Sequence, residues 1–254
     1  MTGSVELSAA EHPFTAYVAT PDGDPAQWRG AIVVIHEVWG LVEHITTIAD
    51  RYAAEGYLAL APDLMGGLGV TAEVAADLQR QLFAADPEER SAAQPRLREL
   101  MAPIAAPEFA AAAITKLIAC VDYLEQQPGV DGRIGVTGFC FGGSYAFSLA
   151  VADARVKASA PFYGYANLTN ELLAEIECPV LYFVGEDDLN LFGALPALTE
   201  QMHESGVDFE AVTYPGAGHA FFNDTNAHAY RPDSAHDSWQ RSTEFFARHL
   251  VTSA

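Results

Sequence analysis

Short, uninterrupted apolar runs alternate along this chain with longer stretches in which apolar positions recur every three or four residues. The runs at 31–35, 57–61 and 180–184 are strand-length and apolar throughout, which predicts strands covered on both faces, and 156–160 and 209–213 are strand-length segments of the same series. A further run, 133–137, ends at Gly138. Between them the helical period predicts a helix over 45–55 stopped by Gly56, a long helix ending near Gln127, a helix over 144–150 and a last amphipathic helix over 234–250. Strand alternating with helix implies a mainly parallel sheet with helices on both faces, an α/β fold. Gly66, Gly67 and Gly69 mark a turn. The segment 71–99 that follows predicts one or two exposed helices, broken near Asp86-Pro87 and around Pro95. It is expected to be a helical excursion over the sheet edge, spanning about 66–105, with residues 1–254 forming one domain.

The most informative point lies between the strand at 133–137 and the helix at 144–150, in Gly138-Phe139-Cys140-Phe141-Gly142-Gly143. This is the glycine-flanked strand–turn–helix pattern G-x-S-x-G with cysteine in the serine position. So tight a turn strains its central residue and leaves no room for bulky side chains two positions before and after it, hence Gly138 and Gly142. The thiol of Cys140 then projects at the carboxyl end of the sheet, beside a helix N-terminus whose dipole favours an anion. A nucleophile of this kind needs a base, and the base needs an acid to orient it, in the chain order nucleophile, acid, histidine. Glu186, Asp187 and Asp188 follow the run 180–184, and any one of them could supply the acid. His219 follows the last strand inside a glycine-rich loop. The other histidines do not share that setting; His12, His44, His203, His228, His236 and His249 read as surface or packing residues, and His36 as a supporting hydrogen-bonding group at the end of the first predicted strand. Glu37 beside it, read from the residues alone, could equally be solvated.

Composition narrows the partners. Thirteen lysines and arginines against 34 aspartates and glutamates give a net charge of −21, a surface that repels nucleic-acid backbones and anionic lipid heads. Cys120 falls on the apolar side of a helical pattern and Cys178 opens a strand, so both are read as structural, and an odd count of three without C-x-x-C spacing fits a reducing compartment. The start of the chain has neither a basic stretch nor an apolar core of signal-peptide length, and a soluble, cytoplasmic protein is expected. No H-E-x-x-H or paired-histidine spacing accompanies the acids, so no cofactor is called for and a metal is the lesser alternative.

Five motifs together carry a resemblance: His36-Glu37-Val38-Trp39-Gly40, Pro62-Asp63-Leu64, the Cys140 turn, Gly185-Glu186-Asp187-Asp188 and Gly218-His219-Ala220-Phe221. From about 31 to 250 the chain resembles the dienelactone hydrolases (carboxymethylenebutenolidases) of the α/β-hydrolase superfamily. The resemblance implies a lactone or small-ester hydrolase, with Cys140 as nucleophile, His219 as base and Asp188, three residues after the glycine, as the acid. By the same resemblance Glu37 pairs with the resting thiol and assists its activation, and the backbone N–H groups of Val38 and Phe141 form the oxyanion hole. Trp39 and Phe221 are candidate walls of the substrate pocket. The two arginines with which carboxylate-binding members hold their substrate are missing: Met65-Gly66-Gly67 and Asn223 stand in their places. A neutral lactone or short ester is therefore the expected partner, for a monomer or small homo-oligomer. A thioesterase or dehalogenase-like hydrolase on the same scaffold, or a ligand-binding or redox-sensing protein with a merely reactive cysteine, are the alternatives.

Overall fold

In the computed structural model, which describes residues 2–10, 12–68, 72–84 and 86–251, the predicted strands gather into one sheet. A hairpin that the apolar pattern did not announce leads the chain: β1 (Thr2–Ala9) and β2 (His12–Ala19) pair antiparallel. It is an edge hairpin, and β1 leaves most of its side chains exposed, so it lacks the continuous apolar run that marks the central strands. Then come β3 (Gly30–Ile35), α1 (Glu43–Ala54), β4 (Tyr57–Pro62), α2 (Ala72–Leu82), α3 (Pro87–Met101) and α4 (Pro107–Glu125). The second half adds β5 (Ile134–Phe139), α5 (Phe141–Ala152), β6 (Val156–Phe162), the one-turn α6 (Asn170–Leu173), β7 (Val180–Gly185), α7 (Leu189–Glu204), β8 (Phe209–Tyr214) and α8 (Pro232–His249).

The strand order is β1-β2-β4-β3-β5-β6-β7-β8, and every neighbouring pair from β4 to β8 is parallel. β2 alone runs against the rest. The expected α/β-hydrolase fold is therefore present. Its central strands β3, β4, β5 and β7 are buried along their whole length, which is why they read as unbroken apolar runs. Helices α1 and α8 meet through Tyr52, whose ring centroid lies 4.5 Å from Trp239 and 5.8 Å from Phe246. Phe246 in turn lies so close to the sheet that a Cβ on Gly135 would come within 2.7 Å of its ring.

The excursion is built from α2 and α3, separated where Asp86 caps the second helix and Pro87 occupies its first turn. The break expected around Pro95 is absent: α3 runs on from Pro87 to Met101 with Pro95 inside it. Ala93, Leu97 and Leu100 of this helix join a small core with Ala75, Leu78 and Trp39, and that packing offsets the backbone bond the proline removes. Gly69 and Thr71, assigned to the turn and to the start of the excursion, lie outside the described residues. Parallel registers such as Ile35 with Gly138, Phe139 with Phe162 and Gly185 with Tyr214 bring the carboxyl ends of five strands to one edge. That edge is where open α/β sheets place their ligand sites.

Candidate active site

Cys140 stands between β5 and α5 with φ 55° and ψ −113°, a backbone conformation that non-glycine residues rarely adopt. The glycines around it are sterically required. A Cβ on Gly138 would lie 2.1 Å from the Gly142 carbonyl oxygen, and one on Gly142 would lie 2.2 Å from that of Ile35. The Cys140 amide donates to the Phe162 carbonyl at 3.0 Å, which fixes the turn to β6. Its thiol is partly exposed, whereas Cys120 and Cys178 are buried and free, as their apolar settings suggested. Burial pushes the Cys178 thiol up to about 12 and that of Cys120 higher still.

Of the three acids after β7, Asp188 is the one that meets the histidine: its Oδ2 lies 2.6 Å from His219 Nδ1. Asp188 also caps α7, accepting from the Leu191 amide, so its carboxylate is held at both oxygens. Glu186 instead accepts from the Thr213 hydroxyl at 3.0 Å, and Asp187 is exposed. Gly185 lets the two loops close on each other, since a Cβ there would lie 2.2 Å from the Ala217 carbonyl oxygen. Arg231 ties the histidine loop from the other side, its backbone amide donating to Phe221 O at 3.0 Å and its Nε to Gly216 O at 2.9 Å. Partial burial would lower the His219 pKa, but hydrogen bonds to Asp188 and Cys140, with the negative charge of both, outweigh it and raise the imidazole to about 10. His219 therefore stands between Asp188 and Cys140, hydrogen-bonded to both.

Glu37 is 3% exposed, and its Oε2 accepts from the Asn223 side-chain amide at 2.6 Å. Asn223 is itself fully buried, and its oxygen accepts from both the amide and the hydroxyl of Thr225, at 3.0 and 2.6 Å. Those two bonds fix which way the amide faces, so nitrogen must point at Glu37. Sequence reasoning saw Asn223 only as a missing arginine; the Asn-Asp-Thr spacing, which favours a side-chain-to-backbone turn, was the available signal. Burial raises the Glu37 carboxyl to about 7, against the lowering effect of the Asn223 amide and the His219 charge. Tyr163, at φ 37°, places a buried hydroxyl beside Glu37 and near Cys140, and burial followed by those two negative charges raises its phenol well above the usual value. Cys140, Tyr163 and Ala220 are three of the five non-glycine residues with positive φ among the described residues, so backbone strain gathers around this one edge.

The Phe141 N–H is the first amide of α5, and the Val38 N–H lies in the turn after Glu37; neither is given a backbone acceptor among the described residues. His36 holds that turn in place: its Nδ1–H donates to the Glu37 carbonyl at 2.6 Å, its Nε2 accepts from the Leu64 amide at 3.0 Å, and its ring stacks on Phe141. Trp39 is buried edge-on against Phe83 in the excursion, and Phe221 is fully buried between Tyr163 and Tyr214. No group of three histidine, cysteine, aspartate or glutamate side chains is arranged to hold a metal among the described residues. No single helix among them is long and apolar enough to cross a membrane.

A sequence profile of the dienelactone hydrolase family matches residues 14–250. The chain belongs to the dienelactone hydrolase family. It is a carboxylic ester hydrolase acting on a small molecule. Relatives of this chain include "Protein usf" of Aquifex pyrophilus, 30% identical with 92% of this chain and 93% of that protein covered. A candidate carboxymethylenebutenolidase of Saccharolobus solfataricus is also 30% identical over 92% of this chain and 93% of its own length. Among solved structures, a candidate dienelactone hydrolase from Klebsiella pneumoniae superposes with a TM-score of 0.81 at 25% identity, covering 98% of this chain and 99% of that one.

Proposed function

We propose that this family member hydrolyses neutral lactones or short carboxylic esters through an acyl-enzyme on Cys140. The observation that carries the reading is the strained turn presenting Cys140 to a histidine whose far nitrogen is 2.6 Å from the aspartate that caps α7. His219 takes the thiol proton, and the sulfur attacks the ester carbonyl carbon. The negative charge that develops on the carbonyl oxygen is met by the N–H groups of Phe141 and Val38. The tetrahedral adduct collapses as the C–O bond breaks, and His219 gives its proton to the leaving alkoxide. Water then enters, loses a proton to His219 and releases the acid from sulfur. Asp188 keeps the imidazole in the tautomer that faces Cys140 and stabilises its charged form. Glu37, protonated up to about pH 7, is a second proton-holding group beside the thiol.

What fills the site supports a neutral substrate. Asn223 is committed to Glu37, and Gly67 offers no side chain. Arg80 and Arg96 of the excursion are both paired with Asp77. The cytoplasm suits a chain whose three cysteines stay free and whose acidic surface turns away nucleic acid and anionic lipid. The test is a panel of lactones and p-nitrophenyl esters with the wild type and Cys140→Ala. Turnover by the wild type and its loss by several orders of magnitude in the variant supports the reading, and residual activity within about tenfold refutes it.

A further inference from the structure

Among the described residues five large hydrophobic side chains are exposed, and three of them, Tyr165, Leu189 and Phe192, border the acid–histidine side of the Cys140 site. Leu189 directly follows Asp188 and is 78% exposed, although it opens the helix that Asp188 caps. Phe192, three residues on, shares its face of α7. Tyr165 comes from the loop after β6. That loop lies flat on the turn helix, because a Cβ on Gly164 would sit 2.2 Å from the Gly143 backbone, and the Tyr165 amide donates to Ser144 Oγ at 2.8 Å. Between this loop and α7 runs a groove of about 170 Å³, walled by Tyr165, Ala166, Leu191, Ala194 and Leu198, with Tyr182 at its base. The groove adjoins the reacting centre, because Gly164 and Tyr165 in one wall pack on Gly143 and Ser144 just after Cys140, and Leu191 in the other wall donates its amide to Asp188.

The chemistry says which part of a substrate can lie there. His219 must protonate the departing alkoxide, so the alcohol of an ester has to leave on the His219 side of Cys140. The acyl oxygen faces the opposite way, toward Val38 and Phe141. A lactone has no separate alcohol to place, because its alkoxide stays joined to the acyl chain. An exposed apolar groove on the leaving side is thus idle for a lactone and useful for an open-chain ester. We propose that the groove between the 164–167 loop and α7 binds the apolar alcohol portion of acyclic esters, making Tyr165, Ala194 and Leu198 specificity-determining residues. This rests on the Cys140 ester-hydrolase reading and narrows its substrate class.

The test compares kcat/KM for cyclohexylmethyl acetate and ethyl acetate, two esters with the same acyl group and leaving alkoxides of similar basicity. The wild type should prefer the cyclohexylmethyl ester by about tenfold, the discrimination an apolar pocket gives for a small added group. Tyr165→Asn, at an exposed position in the groove wall, should reduce that ratio severalfold. Ala194→Trp, which fills the groove from an exposed helix position, should bring it to within about twofold of one. A wild-type ratio near one, or a tenfold ratio kept by both variants, overturns the proposal while Cys140-dependent turnover of both esters leaves the general reading standing. If neither ester is turned over and Cys140→Ala matches the wild type, the general reading fails and this one falls with it. A dimer that Tyr165→Asn dissolves, with the ester ratio unaltered, would reassign the apolar rim to a contact between copies.

Discussion

Glu37→Gln should make the protein more stable at alkaline pH and leave it unchanged in acid. Burial lifts the Glu37 carboxyl from 4.5 to about 7, so between those values the folded state keeps a proton that the unfolded chain has released. With the folded pKa raised, the contribution of this group is intact below 4.5 and is lost as pH climbs through about 7. A gap from 4.5 to about 7 corresponds to about 3 kcal/mol, an upper figure because the surroundings relax around the anion. Glutamine keeps an oxygen for the Asn223 amide to donate to, at a place where the carboxylate accepts at 2.6 Å, and it carries no charge at any pH. Urea unfolding of both proteins at about pH 4 and about pH 8 reads the difference directly. The two should coincide in acid, and the variant should exceed the wild type by about 2–3 kcal/mol in base, while losing turnover. Parallel stability curves across that range would refute the argument, since they would mean that Glu37 stays ionised in the folded protein at a solvent-like pKa.

Three further outcomes follow from named contacts. Asp188→Asn should fold normally and lose turnover by about 10⁴, because the wrong imidazole tautomer faces Cys140, whereas Asp187→Asn should stay within about threefold of wild type; equal losses in p-nitrophenyl acetate kinetics would contradict the assignment. Gly142→Ala should cost about 3 kcal/mol or more, with its Cβ placed 2.2 Å from the Ile35 carbonyl oxygen; thermal unfolding close to wild type would show that the turn can relax. Neutral lactones should exceed a carboxylated dienelactone in kcat/KM by about tenfold at low ionic strength, and the gap should narrow once salt shortens the Debye length to about 10 Å; comparable or better kinetics on the acid would point to an arginine engaging it.

Legibility in the sequence followed burial and backbone constraint. Strands β3, β4, β5 and β7 could be read because both their faces are covered, and the Cys140 turn because two glycines there are sterically forced. The hairpin β1–β2 was missed, being half-exposed and polar on alternate positions. Helix α7 was not read either; Gly193 and Pro196 interrupt its pattern, and its first turn exposes Leu189 and Phe192 to the solvent instead of burying them. Pro95 misled in the other direction, since local propensity argues for a break where contacts with the Trp39 core hold the helix together. At the site, Cys140, His219 and Asp188 sit in motifs with fixed local geometry. The Asn223–Glu37 bond joins residues 186 apart, and no local pattern specifies such a pairing. The approach of the Tyr163 hydroxyl to Glu37 is likewise a product of tertiary packing alone.

The central claim is a covalent acyl group on Cys140, and intact-mass and peptide-mass spectrometry of enzyme quenched during turnover of p-nitrophenyl acetate tests it most directly. The account predicts one added acetyl group per chain, located on the peptide carrying Cys140, absent in Cys140→Ala and kept in Cys120→Ala and Cys178→Ala. Steady turnover with no acylated Cys140, or acylation that persists in Cys140→Ala, would contradict it.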